Sequence, residues 1–156
     1  PDASDASYGI GNVYRKQGRL AEAASQYRKV IAIDPEYFNA YNNLGAVYLQ
    51  MHDWNSAILT LRKSIELKPS FVESYYNLAI ALQELGHSDE AETEFRKAAE
   101  LNPSDADALA NLAMLVYDRK QIDEAAGYLR RVFALDASNP TGIDLVMRMK
   151  RDGYVR

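Results

Sequence analysis

The sequence predicts an all-α fold, a solenoid of four two-helix units followed by one C-terminal helix. Three observations predict it. Phrases recur at a fixed spacing: "AYNNLGAVYLQ" at residues 40–50 is echoed by "SYYNLAIALQ" at 74–83, thirty-four positions on. Within each copy the apolar residues fall at helical spacing. Proline closes successive copies at Pro35, Pro69 and Pro103. A period of this length marks a chain built by stacking one supersecondary unit.

The columns stay in register over four copies. One apolar column reads Ile10, Leu44, Leu78 and Leu112, and the next position is small: Gly11, Gly45, Ala79 and Ala113. Tyr14, Tyr48, Leu82 and Val116 follow three positions later. A second helix carries Ala23, Ala57, Ala91 and Ala125, then Tyr27, Leu61, Phe95 and Leu129. The small columns belong where paired helices approach closely, because a large side chain there overpacks the contact.

Unit one covers about residues 4–37, with Ser7 standing where units two and three have Tyr41 and Tyr75. Unit two, residues 38–71, has a first helix marked by Tyr41, Leu44, Gly45 and Tyr48, a turn at Met51–Asp53, and a second helix marked by Trp54, Ala57, Leu61 and Ile65. Unit three, residues 72–105, opens with Ser70 and Glu73 spaced as a capping box. Unit four, residues 106–139, repeats the pattern with Ala137 in the proline column. Asp34–Pro35, Lys68–Pro69 and Asn102–Pro103 end the second helices, since proline disfavours helical geometry in the residue before it. Gly18 and Gly86 fall in the turns within units, where a left-handed residue is needed. Residues 140–156 begin a further helix at Pro140–Thr141, with Ile143, Val146, Met147 and Lys150 in first-helix columns. This segment reads either as a polar-backed cap or as a truncated fifth repeat.

The columns resemble the tetratricopeptide repeat, a helix–turn–helix unit whose pattern is an aromatic residue, Leu-Gly, Tyr, Ala, an aromatic residue and Pro. Unit two supplies Tyr41, Leu44, Gly45, Tyr48, Ala57, Leu61 and Pro69; unit three supplies Tyr75, Leu78, Ala79, Leu82, Ala91, Phe95 and Pro103. Unit four is weaker, with Leu109, Leu112, Ala113, Val116, Ala125 and Leu129. The resemblance covers about residues 4–139. It implies a right-handed superhelix whose first helices line a concave groove that binds a protein segment, without catalysis and without a cofactor.

The groove residues implied are Tyr8, Asn12 and Arg15 in unit one, and Asn42, Asn43 and Leu49 in unit two. Unit three contributes Glu73, Tyr76, Asn77 and Ile80, and unit four Asp107, Asn111, Met114 and Tyr117. Asn43, Asn77 and Asn111 share one column, and an amide can both donate to and accept from a peptide backbone. This row resembles the asparagine ladder of the repeats in O-GlcNAc transferases; the plainer reading is local hydrogen bonding. Chaperone-docking members of the family grip a terminal carboxylate with Lys, Asn, Asn, Lys and Arg. The matching positions here are Tyr8, Asn12, Asn43, Glu73 and Asn77, so the basic residues are missing and Glu73 would repel a carboxylate. The expected guest is a segment with apolar anchors and some basic residues.

Composition narrows the alternatives. The 156 residues are 47% apolar and 26% charged, with 18 basic and 22 acidic side chains and a formal charge of −4. A basic stripe, the usual mark of a nucleic-acid binder, is not expected from that balance. No stretch suits a membrane span. Cysteine is absent, which removes disulfides and thiol chemistry. The chain opens on Pro1 rather than Met, which reads as a processed or excised piece, so its compartment is left open. "GHSDE" at 86–90 gathers histidine, serine and acid, but adjacency is not the converging geometry of a catalytic triad. His52 and His87 lack a third ligand nearby, and Trp54 shares a column with Leu20 and Ile122 that reads as packing. The leading reading is a non-catalytic scaffold. A substrate-recruiting region of a larger enzyme such as a glycosyltransferase, and a scaffold that self-assembles, are the other two.

Overall fold

The structure, a computed structural model, describes residues 3–155. Among the described residues there are nine α-helices and no strand. They are α1 (Ala3–Lys16), α2 (Leu20–Ile33), α3 (Phe38–Gln50), α4 (Trp54–Leu67) and α5 (Val72–Glu84), then α6 (Ser88–Leu101), α7 (Ala106–Asp118), α8 (Ile122–Leu135) and α9 (Pro140–Arg151). The fold class is an all-α helical-repeat solenoid. The chain divides into two compact units, Pro1–His87 and Ser88–Arg156.

In the first unit α1 pairs with α2 and α3 with α4; α2 packs on α3, α4 on α5, and α3 touches α5. In the second, α7 pairs with α8, α6 packs on α7, and α9 lies against α7 and α8. Helix pairing follows from the small columns. Tyr27 fills the space at Gly11, and Leu61 fills the space at Gly45. The large column is sealed: Tyr27, Leu61 and Phe95 are fully buried, and Leu129 nearly so. A β-carbon at Gly45 would lie 2.5 Å from Leu61 Cγ, inside any carbon–carbon contact distance.

The turns within units share one device. Gly18 and Gly86 have φ of +72° and +79°, and the same column holds His52 and Lys120 at +58° and +65°. Each helix pair needs one left-handed residue there, and two of the four are not glycine. Between units the backbone N–H of Glu36 donates to Asp34, that of Ser104 to Asn102, and that of Ser138 to Asp136. These side-chain turns hold the chain after the second helix has ended.

Helix starts are capped unevenly. Asp53 accepts from the Ser56 N–H, Asp105 from Ala108, and Asn139 from Gly142. The capping box expected at Ser70 and Glu73 does not form. The cap residue of α5 is Phe71, with no side-chain hydrogen bond, and the helix starts at Val72. Phe71 stands in the same cap column as Tyr37, Asp105 and Asn139, one residue later than the polar pattern suggests, and its ring meets Phe38 edge on at 5.0 Å.

One buried polar cluster ties α3, α4 and α5 together. The hydroxyls of Ser64 and Ser74 lie 2.8 Å apart, with the Phe38 carbonyl 3.0 Å from Ser64 Oγ and Asn42 Oδ1 3.2 Å from Ser74 Oγ, so two hydroxyl protons serve three contacts. Both serines are fully buried, so these bonds replace the water the hydroxyls lose.

Candidate functional site

The first-helix residues of Pro1–His87 form two arrangements, a hydrogen-bonded ladder and a cleft. In the ladder, Asn43 Nδ2 donates to the Tyr8 hydroxyl at 2.9 Å and to Asn12 Oδ1 at 3.0 Å. Asn12 Oδ1 also accepts from the Tyr27 hydroxyl at 2.7 Å. Asn42 Nδ2 reaches Asn43 Oδ1 at 3.4 Å, and Asn77 Nδ2 donates to Asn42 Oδ1 at 3.2 Å. The amides therefore bond one first helix to the next. Asn42 is only 7% exposed, so its groups serve that link rather than an outside guest. Burial raises the pKa of the Tyr27 phenol, which keeps it a donor to Asn12.

The cleft, about 420 Å³ in volume, lies at the C-terminal ends of α1, α3 and α5. Ala46, Leu49 and Ile80 supply its apolar lining. Arg15 and Asn77 border it, with Gln50 and Glu84 at the helix ends. Of the residues expected from sequence, Arg15, Leu49, Asn77 and Ile80 meet here. Arg15 Nε is buried without a hydrogen-bond partner. His52 and Trp54 also line the cleft, with their rings edge to face at 5.0 Å. Sequence reasoning placed Trp54 in the packing column of Leu20 and Ile122; here its ring is half-buried and borders open space. The aromatic side chain in a column otherwise aliphatic was the available signal. Glu73 is exposed in the first turn of α5, and Tyr76 is half-buried on the same helix.

In Ser88–Arg156, Asp107, Met114 and Tyr117 are engaged by the segment around α9, whereas Asn111 bonds within its own helix. Asp107 Oδ1 accepts from Asn139 at 2.8 Å, and Asn111 Nδ2 donates to the Asp107 carbonyl at 2.9 Å. Tyr117 is 2% exposed and donates its hydroxyl to Asp152 at 2.5 Å. That bond and burial push the phenol up to about 12, while the same bond holds the Asp152 carboxyl below the usual carboxylate range. Arg148 pairs with Asp118 at 2.6 Å, lies 5.4 Å from the centre of the Tyr117 ring, and reaches the Met114 sulfur. On the second-helix side, Arg96 bridges Glu92 and Glu124 at 2.8 and 2.6 Å and donates to the Tyr128 hydroxyl, and Arg119 pairs with Asp89 and Glu92. Hydrogen bonds donated by Arg96 to Glu124 and Glu92 raise its pKa further above its already high value.

Among the described residues no group of three or more His, Cys, Asp and Glu could hold a metal ion. No described helix is long and apolar enough to cross a membrane.

Comparison with known proteins bears on the repeat. Family models described as TPR repeat and tetratricopeptide repeat match residues 11–52, 38–71 and 76–140. No curated protein sequence matches the chain. Among solved structures, one of the MamA protein is 23% identical and covers 97% of this chain and 83% of its own, with a TM-score of 0.85. YrrB, described as a TPR protein with an unusual peptide-binding site, is 23% identical over 93% of this chain and 75% of its own, at a TM-score of 0.80. The first TPR of Spaghetti (RPAP3), bound to the HSP90 peptide SRMEEVD, is 23% identical over 75% of this chain and 93% of its own, at 0.74. At these identities the likeness is one of fold. With registered columns, paired helices and three matching models spanning residues 11–140, this chain belongs to the tetratricopeptide-repeat family.

Proposed function

We propose that the protein is a non-catalytic interaction scaffold, and that the cleft at the ends of α1, α3 and α5 receives an extended segment of a partner protein. The cleft carries this reading: α3 and α5 contribute an apolar floor, and α1 adds Arg15 to the polar groups at its border, the composition of a peptide subsite. Leu49 and Ile80 take an apolar anchor. Among the described residues Asn12 Nδ2 and Asn77 Oδ1 make no hydrogen bond, and they offer one donor and one acceptor to a guest backbone, the share of the amide ladder left for recognition. The solved relatives YrrB and RPAP3 are described as peptide-binding, which supports the same reading.

The test is a selection of random peptides on the intact chain, followed by anisotropy titration of the winners. Leu49→Gln with Ile80→Gln weakens the selected peptides by about tenfold or more if the apolar floor is a binding hot spot. Circular dichroism shows that the variant keeps its helices. Failure to enrich any peptide, or equal binding by the variant, refutes the reading.

A further inference from the structure

We propose that the side of the cleft bordered by Trp54 and Glu84 takes a lysine or arginine side chain of the guest. This rests on the peptide-binding reading above and adds the chemistry of one guest residue.

Three observations lead to it. The cleft gathers the C-terminal ends of α3 and α5, where the helix dipoles place partial negative charge. The usual complement is a basic residue in the last turn. α1 has Arg15 and Lys16 there, whereas α3 and α5 have none. Instead α5 ends on Glu84, an exposed carboxylate with no ion-pair partner among the described residues, so a full negative charge adds to the helix ends. Finally, the ring of Trp54 borders the same space, and an indole face is the best aromatic surface for a cation. Leu49 and Ile80 would cover the aliphatic stem, which long basic side chains lay along apolar surface.

The molecule already contains one arginine seated this way. Asp118 stands in the column of Glu84, one period on, and Met114 in the column of Ile80. There Arg148 pairs with Asp118, lies over the Tyr117 ring and touches the Met114 sulfur. One period back, Glu84 and Ile80 repeat the carboxylate and the apolar contact, while the column of Tyr117 holds Gln83; at the cleft the aromatic ring comes instead from Trp54, and Arg15 is the arginine already in the lining.

The experiment uses the peptides selected on the intact chain, their lysine-acetylated or Arg→Gln counterparts, and the variants Glu84→Gln, Glu84→Lys and Trp54→Ala. The expected result is a basic residue enriched at one peptide position. Neutralising that residue, Glu84→Gln and Trp54→Ala each weaken binding about three- to tenfold, and Glu84→Lys weakens it more. Glu84→Gln also flattens the salt dependence of binding. Peptides that lose affinity on Leu49→Gln/Ile80→Gln yet show no basic preference, or are indifferent to Glu84→Gln and Trp54→Ala, overturn this inference and leave the peptide-binding reading standing. If no peptide is enriched, both fall.

Discussion

Gly45→Ala separates two effects of opposite sign. In an exposed helix interior, replacing glycine by alanine stabilises by about 1 kcal/mol through backbone propensity. At Gly45 the new methyl would stand 2.5, 2.7 and 3.2 Å from Leu61 Cγ, Cδ2 and Cδ1, where about 3.5–4.0 Å is optimal. Leu61 is fully buried and cannot swing into solvent, so α3 and α4 must part by about 1 Å. Overpacking of this kind costs about 1–3 kcal/mol. The net expectation is a loss of about 1–2 kcal/mol, read as a lower urea midpoint by circular dichroism. Gly9 supplies the control. It lies in α1, is exposed, and has nothing within 4 Å of an added β-carbon, so Gly9→Ala raises the midpoint. Leu61→Ala supplies the reversal. It costs about 2–5 kcal/mol by itself, but in that background Gly45→Ala becomes neutral or stabilising because the clash is gone. If Gly45→Ala stabilises the wild-type chain as Gly9→Ala does, the close approach of α3 and α4 at this point is wrong.

Three further outcomes follow from single contacts. Asn43→Ala removes the bonds to Tyr8 and Asn12 and lowers stability by about 1–2 kcal/mol in urea melts; an unchanged midpoint would mean the ladder contributes nothing. Lys120→Gly relieves a left-handed residue at φ +65° and raises stability by about 0.5–1 kcal/mol, less than the full conformational cost because glycine also loosens the unfolded chain; a lower melting temperature would contradict it. Tyr117 titrates late, at about 12, when followed by phenolate absorbance, and Asp152→Asn brings it back toward the ordinary tyrosine value. Its raised value stabilises the fold fully below the unfolded tyrosine pKa and is lost as pH climbs through about 12. The depressed Asp152 contributes above the unfolded carboxylate pKa and is lost as pH falls through its lowered value.

What could be read in advance was whatever repeats. The helix ends at Asp34, Lys68 and Asn102, the left-handed turns at Gly18 and Gly86, and the buried column of Tyr27, Leu61 and Phe95 all follow from one period laid over helical geometry. Features that do not repeat escaped it. The box at Ser70 and Glu73 lay one residue out of phase with the cap column of Tyr37, Phe71, Asp105 and Asn139, whose side chains differ from copy to copy. Trp54 looked like core because its column is apolar elsewhere, and only the meeting of three first helices with the turn after α3 reveals its open edge. Asn77 was visible as a member of a column, but its tie to Asn42 was not, since the equivalents of Asn42 are Tyr8, Tyr76 and Ala110.

The Ser64–Ser74–Asn42 cluster bears on a difficulty peculiar to chains made of look-alike pieces, namely that any hairpin of helices could dock on the wrong neighbour. The counterparts of Ser64 are Val30, Ala98 and Val132, and those of Ser74 are Ala40, Ala108 and Gly142. Only one joint in the array can therefore pair hydroxyl with hydroxyl. A swapped arrangement would press Ser74 against a valine or alanine in place of Ser64, take it from Asn42 and strand its hydroxyl in a dry seam, a penalty of about 1–3 kcal/mol. Three small polar side chains thus act as a key, recording the order of otherwise interchangeable parts.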